Sequence, residues 1–201
     1  MKNETRMSGF MRKNLVMAAL LMLGASFAQG GPFDGWGYHA PVTFSGYDRA
    51  ETLTNFPALV VLSNACFGGG YAFSYGQFQS GSNDLAFTDA DGNSLNYEIE
   101  TWSPSGTSTV WVQVPVLTNN ATVTAWWGAA GQPAPACTTN GSVWSNGYAG
   151  VWHLSETSGN AVNAARCGGD GVPSSVTQNA AGVIGGAARN IRTVAANGDG
   201  R

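Results

Sequence analysis

The sequence predicts an all-β protein, an antiparallel β-sandwich followed by an incomplete second, jelly-roll-like domain. Three observations predict it. Short runs rich in β-branched and aromatic residues alternate apolar with polar at period two. Gly, Asn, Asp and Pro separate those runs with turn chemistry. Beyond the N-terminal segment no stretch repeats apolar residues at helical spacing, so the helical crossovers of a parallel sheet are missing.

The first strand is read from Trp36 to Phe44, with Pro41 marking an edge or a break because it cannot donate to a ladder. A polar turn from Ser45 to Glu51 leads to Leu53–Leu62. Its Phe56-Pro57-Ala58-Leu59-Val60-Val61-Leu62 run is apolar enough for a strand buried on both faces. Gly68-Gly69-Gly70 opens a loop that lasts to Asn83. Leu85–Thr88 and Leu95–Trp102 flank Asp89-Ala90-Asp91-Gly92-Asn93, which reads as a hairpin loop with Gly92 or Asn93 at positive φ. In Val110-Trp111-Val112-Gln113-Val114 the valines share one face, opposite Trp111 and Gln113. In Ala121–Trp127 the residues Val123, Ala125 and Trp127 oppose Thr122, Thr124 and Trp126.

The N-terminus predicts export. Lys2, Arg6, Arg12 and Lys13 precede an apolar run from Leu15 to Phe27, and Ser26-Phe27-Ala28 supplies small residues for cleavage. The run is shorter than the roughly 18–20 residues a stable membrane span needs. Residues 1–28 are therefore read as a signal peptide, and the mature chain carries no second span-length run. Localisation follows as secreted, periplasmic or cell surface. Residues 33–128 form the sandwich, 129–142 a Pro/Ala/Gly linker, and 143–201 the start of a second domain. In that last part Val143-Trp144 and Tyr148–Leu154 resume strand-like character.

Only 10% of residues are charged, yet seven Trp, nine Phe and six Tyr supply material for a core, which argues against disorder. A net charge of −3 excludes the clustered basic surface of a nucleic-acid binder. Cys66, Cys137 and Cys167 are spaced too widely for a zinc knuckle or a redox pair. Their pairing is left open, with buried thiols as the alternative.

Several segments, taken together, resemble a secreted bacterial and archaeal module known as a domain of unknown function. They are Trp36–Phe44, Leu53–Pro57, Asp84–Gly92, Leu95–Trp102, Val110–Pro115 and Trp126–Gly128. The string D-L-x-F-T-D-x-D-G followed by Y-E-I-E-x-W carries most of the resemblance. Such modules are often followed by a concanavalin A-like, laminin-G-type jelly roll, and Val143-Trp144, Gly150–Leu154 and Gly182–Ala188 look like the start of one. Arg189-Asn190-Ile191-Arg192 departs from the Phe-rich strand that would come next. The resemblance implies no functional residue.

Candidate chemistry is sparse. Glu98 and Glu100 share a strand face at the spacing of a tight carboxylate pair. With Tyr97 and Ile99 as the buried face, the two glutamates read as solvated. Asp89, Asp91, Asn93 and Glu100 fall at positions 1, 3, 5 and 12 of a calcium loop, but position 6 is Ser94 and strands flank it. They are weak metal candidates, and calcium is the only cofactor they suggest. His39 and His153 lie far apart and read as packing or capping residues; no G-x-S-x-G nucleophile turn occurs. No catalytic residue is assigned, and the protein is read as not an enzyme.

The tryptophans carry the functional expectation. Trp102, Trp111 and Trp126 occupy polar-alternating positions, where outward indoles would stack on sugar rings. The competing reading has a second sheet or neighbouring domain covering them. The expected function is an exported binding or adhesion module, with glycan the leading ligand class and a surface protein second. Two alternatives stand beside it: part of a secreted glycan-cleaving enzyme whose catalytic region lies elsewhere, and a structural spacer in a large surface protein.

Overall fold

A computed structural model describes residues 31–190. The signal-peptide segment 1–28 and the departure at Ile191-Arg192 lie outside the described residues. Among the described residues there are eight strands: β1 (Tyr38–Phe44), β2 (Leu53–Leu62), β3 (Ala86–Thr88), β4 (Tyr97–Thr101), β5 (Ser108–Leu117), β6 (Ala121–Trp127), β7 (Val176–Ala181) and β8 (Gly186–Asn190). The other regular elements among the described residues are three-residue 3-10 turns. All strand pairs are antiparallel, in two three-stranded sheets ordered β1-β6-β3 and β2-β5-β4 and one β7-β8 ribbon. The all-β sandwich is the fold.

Period-two alternation builds the core. Val110, Val112 and Val114 of β5 are buried, as are Val123, Ala125 and Trp127 of β6, and the two rows face each other. Ala58, Val60 and Leu62 of β2, Tyr97 of β4, Ala40 of β1 and Phe87 of β3 complete the layer. Full burial of each large apolar side chain contributes roughly 1.5–3 kcal/mol. The glycine-rich loop contributes aromatics: Phe73 packs edge-on against Trp127 and Tyr75. The Tyr75 hydroxyl reaches the Leu62 carbonyl at 2.9 Å and the Ser108 hydroxyl at 2.7 Å. Tyr97 donates to the Leu85 carbonyl, so neither buried phenol is left unpaired.

Two readings of strand context need correction. β2 is an edge strand and not a strand buried on both faces; Val61 is exposed, and Pro57 sits where an edge tolerates the missing N–H. The Asp89–Asn93 segment is a tight turn with Gly92 at φ +82°, but its flanking strands do not pair as a hairpin. β3 joins β6 and β4 joins β5, so the turn carries the chain from one sheet to the other. Of a hairpin there remain the Thr88–Ser94 bridge and two backbone bonds across the turn, Asp89 N–H to the Asn93 carbonyl and Leu95 N–H to the Phe87 carbonyl. Pro41 does lie in an edge strand, β1.

Asp84 ties the sandwich to the segment that follows it. Its carboxylate is fully buried and accepts four backbone N–H groups, from Gln79 (2.7 Å), Ser80 (3.2 Å), Gly128 (3.2 Å) and Ala129 (3.1 Å). Beyond it, Val143-Trp144 form part of a 3-10 turn, Ser142–Trp144, where a strand was expected. From Tyr148 to Leu154 the chain is irregular apart from a Trp152–Asn163 bridge. Gly141, at the head of the 3-10 turn, is in the left-handed region at φ +80°.

Candidate functional site

The outer face of the second sheet is covered by residues 143–154, and its polar side chains converge beneath them. Trp111 lies between Leu59 and Glu98 in register across the three strands. Glu100 is the extra residue of a β-bulge between the Ile99–Val110 and Thr101–Thr109 pairs, a device that re-aims a side chain. Trp111 Nε1 donates to Glu100 Oε2 at 3.1 Å, and Trp144 Nε1 donates to Glu98 Oε2 at 2.8 Å. The Trp144 ring packs edge-on against Trp111 and Tyr148.

His153 closes this arrangement. Its Nε2 is 2.8 Å from Glu98 Oε1 and its Nδ1 contacts Glu100 Oε2, so one imidazole spans both carboxylates. The side chains of Glu98 and Glu100 are only 12% and 4% exposed, and that of His153 is 19% exposed. The expectation of solvated glutamates is therefore corrected. Alternation placed them on the outer face, but a segment some fifty residues later covers that face. Burial by itself disfavours the imidazolium. The hydrogen bonds that the ring donates to Glu100 and Glu98, with their Coulombic attraction, outweigh that and raise the His153 pKa to about 9.

A chamber of about 230 Å³ adjoins the cluster, walled by Glu98, Glu100, His153, Glu156 and Arg166 among others. Arg166 is turned away from the carboxylates and donates to the Thr139 carbonyl from Nε (3.2 Å) and Nη2 (2.8 Å). Chemically, the cluster is a hydrogen-bonded clamp: each carboxylate already receives a ring nitrogen of His153 and an indole N–H, so neither is free of partners.

A larger cleft of about 620 Å³ adjoins the same segment and shares Glu156 with the chamber. Trp152 lines it with Leu154, Val172 and Pro173, and its polar lining includes Glu156, Ser174 and Gln178. Among the seven tryptophans Trp152 is the one with an exposed ring, 43% accessible. Gly150 exists because of it: a Cβ there would stand 2.3 Å from the far edge of the indole. Asn163 organises the surrounding loop. Its Oδ1 accepts from Val151 (3.0 Å) and Ala165 (3.2 Å), and its backbone N–H donates to Asp170 at 2.9 Å.

The tryptophans singled out from the sequence lie elsewhere and apart. Trp102 is packed edge-on between Tyr75 and Phe78, and Trp111 lies under Trp144. Trp126 is stacked on Phe33 and flanked by His39, with its Nε1 donating to Thr88 at 3.0 Å. All three are half-buried. His39 is a packing residue on that ring, whereas His153 is the centre of the clamp.

The weak metal candidates do not converge. Asp89 accepts from the Asp91 and Asn93 N–H groups at 3.0 and 2.8 Å and from Asn93 Nδ2 at 2.9 Å, an Asx-type turn. Those bonds, that of the Asn93 side chain foremost, lower its pKa. Glu100 is instead held by Trp111 and His153. Among the described residues no group of three or more His, Cys, Asp or Glu could hold a metal. Cys66, Cys137 and Cys167 are all free thiols.

Residues 81–164 match the family described as Domain of unknown function (DUF2341). The match covers both the turn-and-strand string read from the sequence and the segment that closes the clamp. No curated protein and no solved structure matches the chain. Among the described residues no helix is long and apolar enough to cross a membrane.

Proposed function

We propose that the protein is an exported, surface-displayed binding module whose ligand is a glycan, held in the Trp152 cleft. The observation that carries this reading is the exposed Trp152 seated against Gly150 in a cleft lined mainly by apolar side chains. Sugar rings present an apolar face for stacking and an equator of hydroxyls. Ser174 and Gln178 line the cleft and supply polar side chains for those hydroxyls. Export rests on the basic, apolar and small-residue order of residues 1–28. The resemblance of 143–201 to the beginning of a concanavalin A-like domain favours the same ligand class, with β7-β8 as its first ribbon.

The clamp supports binding over hydrolysis, since its two carboxylates are occupied by His153 and the two indoles. One stacking platform contributes on the order of 1 kcal/mol, so a single module binds weakly and display in many copies supplies avidity. A glycan array on the full chain, with reducing-sugar release measured on the same polysaccharides, tests the reading. Binding without release, lost in Trp152→Ala but kept in Trp126→Ala, is the expected result. Release of sugar would move the protein to the glycan-cleaving class. Absence of both would leave the surface-protein or spacer role.

A further inference from the structure

Of two neighbouring residues, Trp152 lines the cleft and His153 reaches Glu98 and Glu100. The segment that carries them joins the second sheet through side chains and not through a backbone ladder. Gln113 Nε2 donates to the Val143 carbonyl at 3.2 Å and the Ser145 hydroxyl at 3.0 Å. Asn146 Nδ2 donates to the Thr54 carbonyl at 2.8 Å, and Trp144 bonds Glu98. The one ionic fastening between this segment and the sheet, among the described residues, is the imidazole between two carboxylates.

A neutral imidazole has one N–H and one lone pair; only the imidazolium donates from both nitrogens. Loss of the proton turns a ring lone pair toward a carboxylate oxygen and leaves two buried negative charges against an uncharged ring. Leu154, the next residue, is held at φ +57°, a strained conformation that persists only while its surroundings enforce it. The tip of the β7-β8 ribbon rests on the same place, with Gly185 against Glu100 and Gly186 against the Leu154 carbonyl.

We propose that His153 is a proton-dependent latch: bridging Glu98 and Glu100, it fastens residues 143–154 to the second sheet, and loss of its proton frees that segment and dismantles the Trp152 cleft. The consequence for ligand rests on the glycan reading; the latch does not. The titratable and charged groups around the ring are Glu98 and Glu100 on β4, Tyr148 beyond Trp144, and Glu156 and Arg166 in the chamber wall. Arg166 is bonded to the Thr139 carbonyl and Glu156 Oε1 receives the Val162 N–H. Neither reaches the ring, so the β4 pair governs its proton.

Hydrogen–deuterium exchange of the full chain from pH 6.5 to 9.5, corrected for the intrinsic pH dependence of exchange, tests this directly. Opening of peptides spanning 143–155 should rise by about tenfold or more while β5 and β6 stay protected. His153→Gln should open the segment at pH 6.5 and remove the pH response. Glu100→Gln, which takes away one of the two acceptors, should weaken the response if the first variant fails to fold. A pH-flat exchange rate in 143–155, or a rise shared equally with β5, would overturn the latch. Binding of an array-positive glycan should fall over the same pH range. If no glycan binds at any pH, the glycan reading fails while the exchange result still decides the latch.

Discussion

Asp84 Oδ2 accepts the backbone N–H of Gly128 at 3.2 Å, joining the loop before β3 to the residue just past β6. Three further backbone N–H groups converge on the same carboxylate, which has no ion-pair partner among the described residues. Charge-assisted bonds alone hold it in the interior. Removing it leaves four donors without an acceptor in a dry site. Asp84→Ala is expected to cost about 3–5 kcal/mol of stability, and Asp84→Asn less, read as a lower urea midpoint.

Gly150 is expected to be a specificity test for the cleft. Gly150→Ala places a methyl group where the Trp152 ring lies, 2.3 Å from the nearest ring carbon. The sandwich core does not include this position. Thermal stability should change little while glycan binding falls as far as in Trp152→Ala. Unchanged affinity would show that the ring is not the platform.

Stability should decline as pH rises. The folded-state pKa of His153 is raised to about 9 against an ordinary 6.5, so its contribution is complete below about pH 6.5 and is lost by about pH 9. Allowing for solvent screening, the loss is on the order of 1 kcal/mol. Denaturant titrations at pH 6.5 and pH 9.5 should show that difference in the native chain, and His153→Gln should remove it.

Calcium should leave the melting temperature unchanged. Stabilisation by a ligand needs preferential binding to the folded state. The Asp89 oxygens are already taken by Asp91 and Asn93, and the carboxylate that would complete a calcium loop, Glu100, is bound to His153. A calcium-dependent rise in melting temperature that disappears in Asp91→Ala would place a cation in the loop.

Much of the sandwich was legible because alternation is local. Val110, Val112 and Val114 announce one face of β5, and Val123, Ala125 and Trp127 one face of β6, whatever the rest of the chain does. Which strand pairs with which is not local. The Asp89–Asn93 turn chemistry was visible, but β3 and β4 part company after it, and no residue in the turn announces that. The outer face was illegible for a similar reason. Glu98 and Glu100 look solvated until Trp144 and His153 are laid over them from far along the chain. The available signal was an excess: aromatic and imidazole groups after residue 143 in a stretch with few other large side chains. Trp102, Trp111 and Trp126 were read as outward on alternation alone, which gives a face but says nothing of what rests on that face.

The pairing of β1 with β6 has a kinetic consequence. Tyr38 is aligned with Trp127 and Phe44 with Ala121, so the strand made first waits for the one made last in the sandwich. Contacts of such sequence separation close slowly, because the intervening chain must be ordered before they reward it. Until Trp127 has been synthesised, β1 and β3 have no strand to lie beside. A nascent chain stopped short of that point exposes unpaired backbone edges and an uncovered valine face, and its fate is association with other chains.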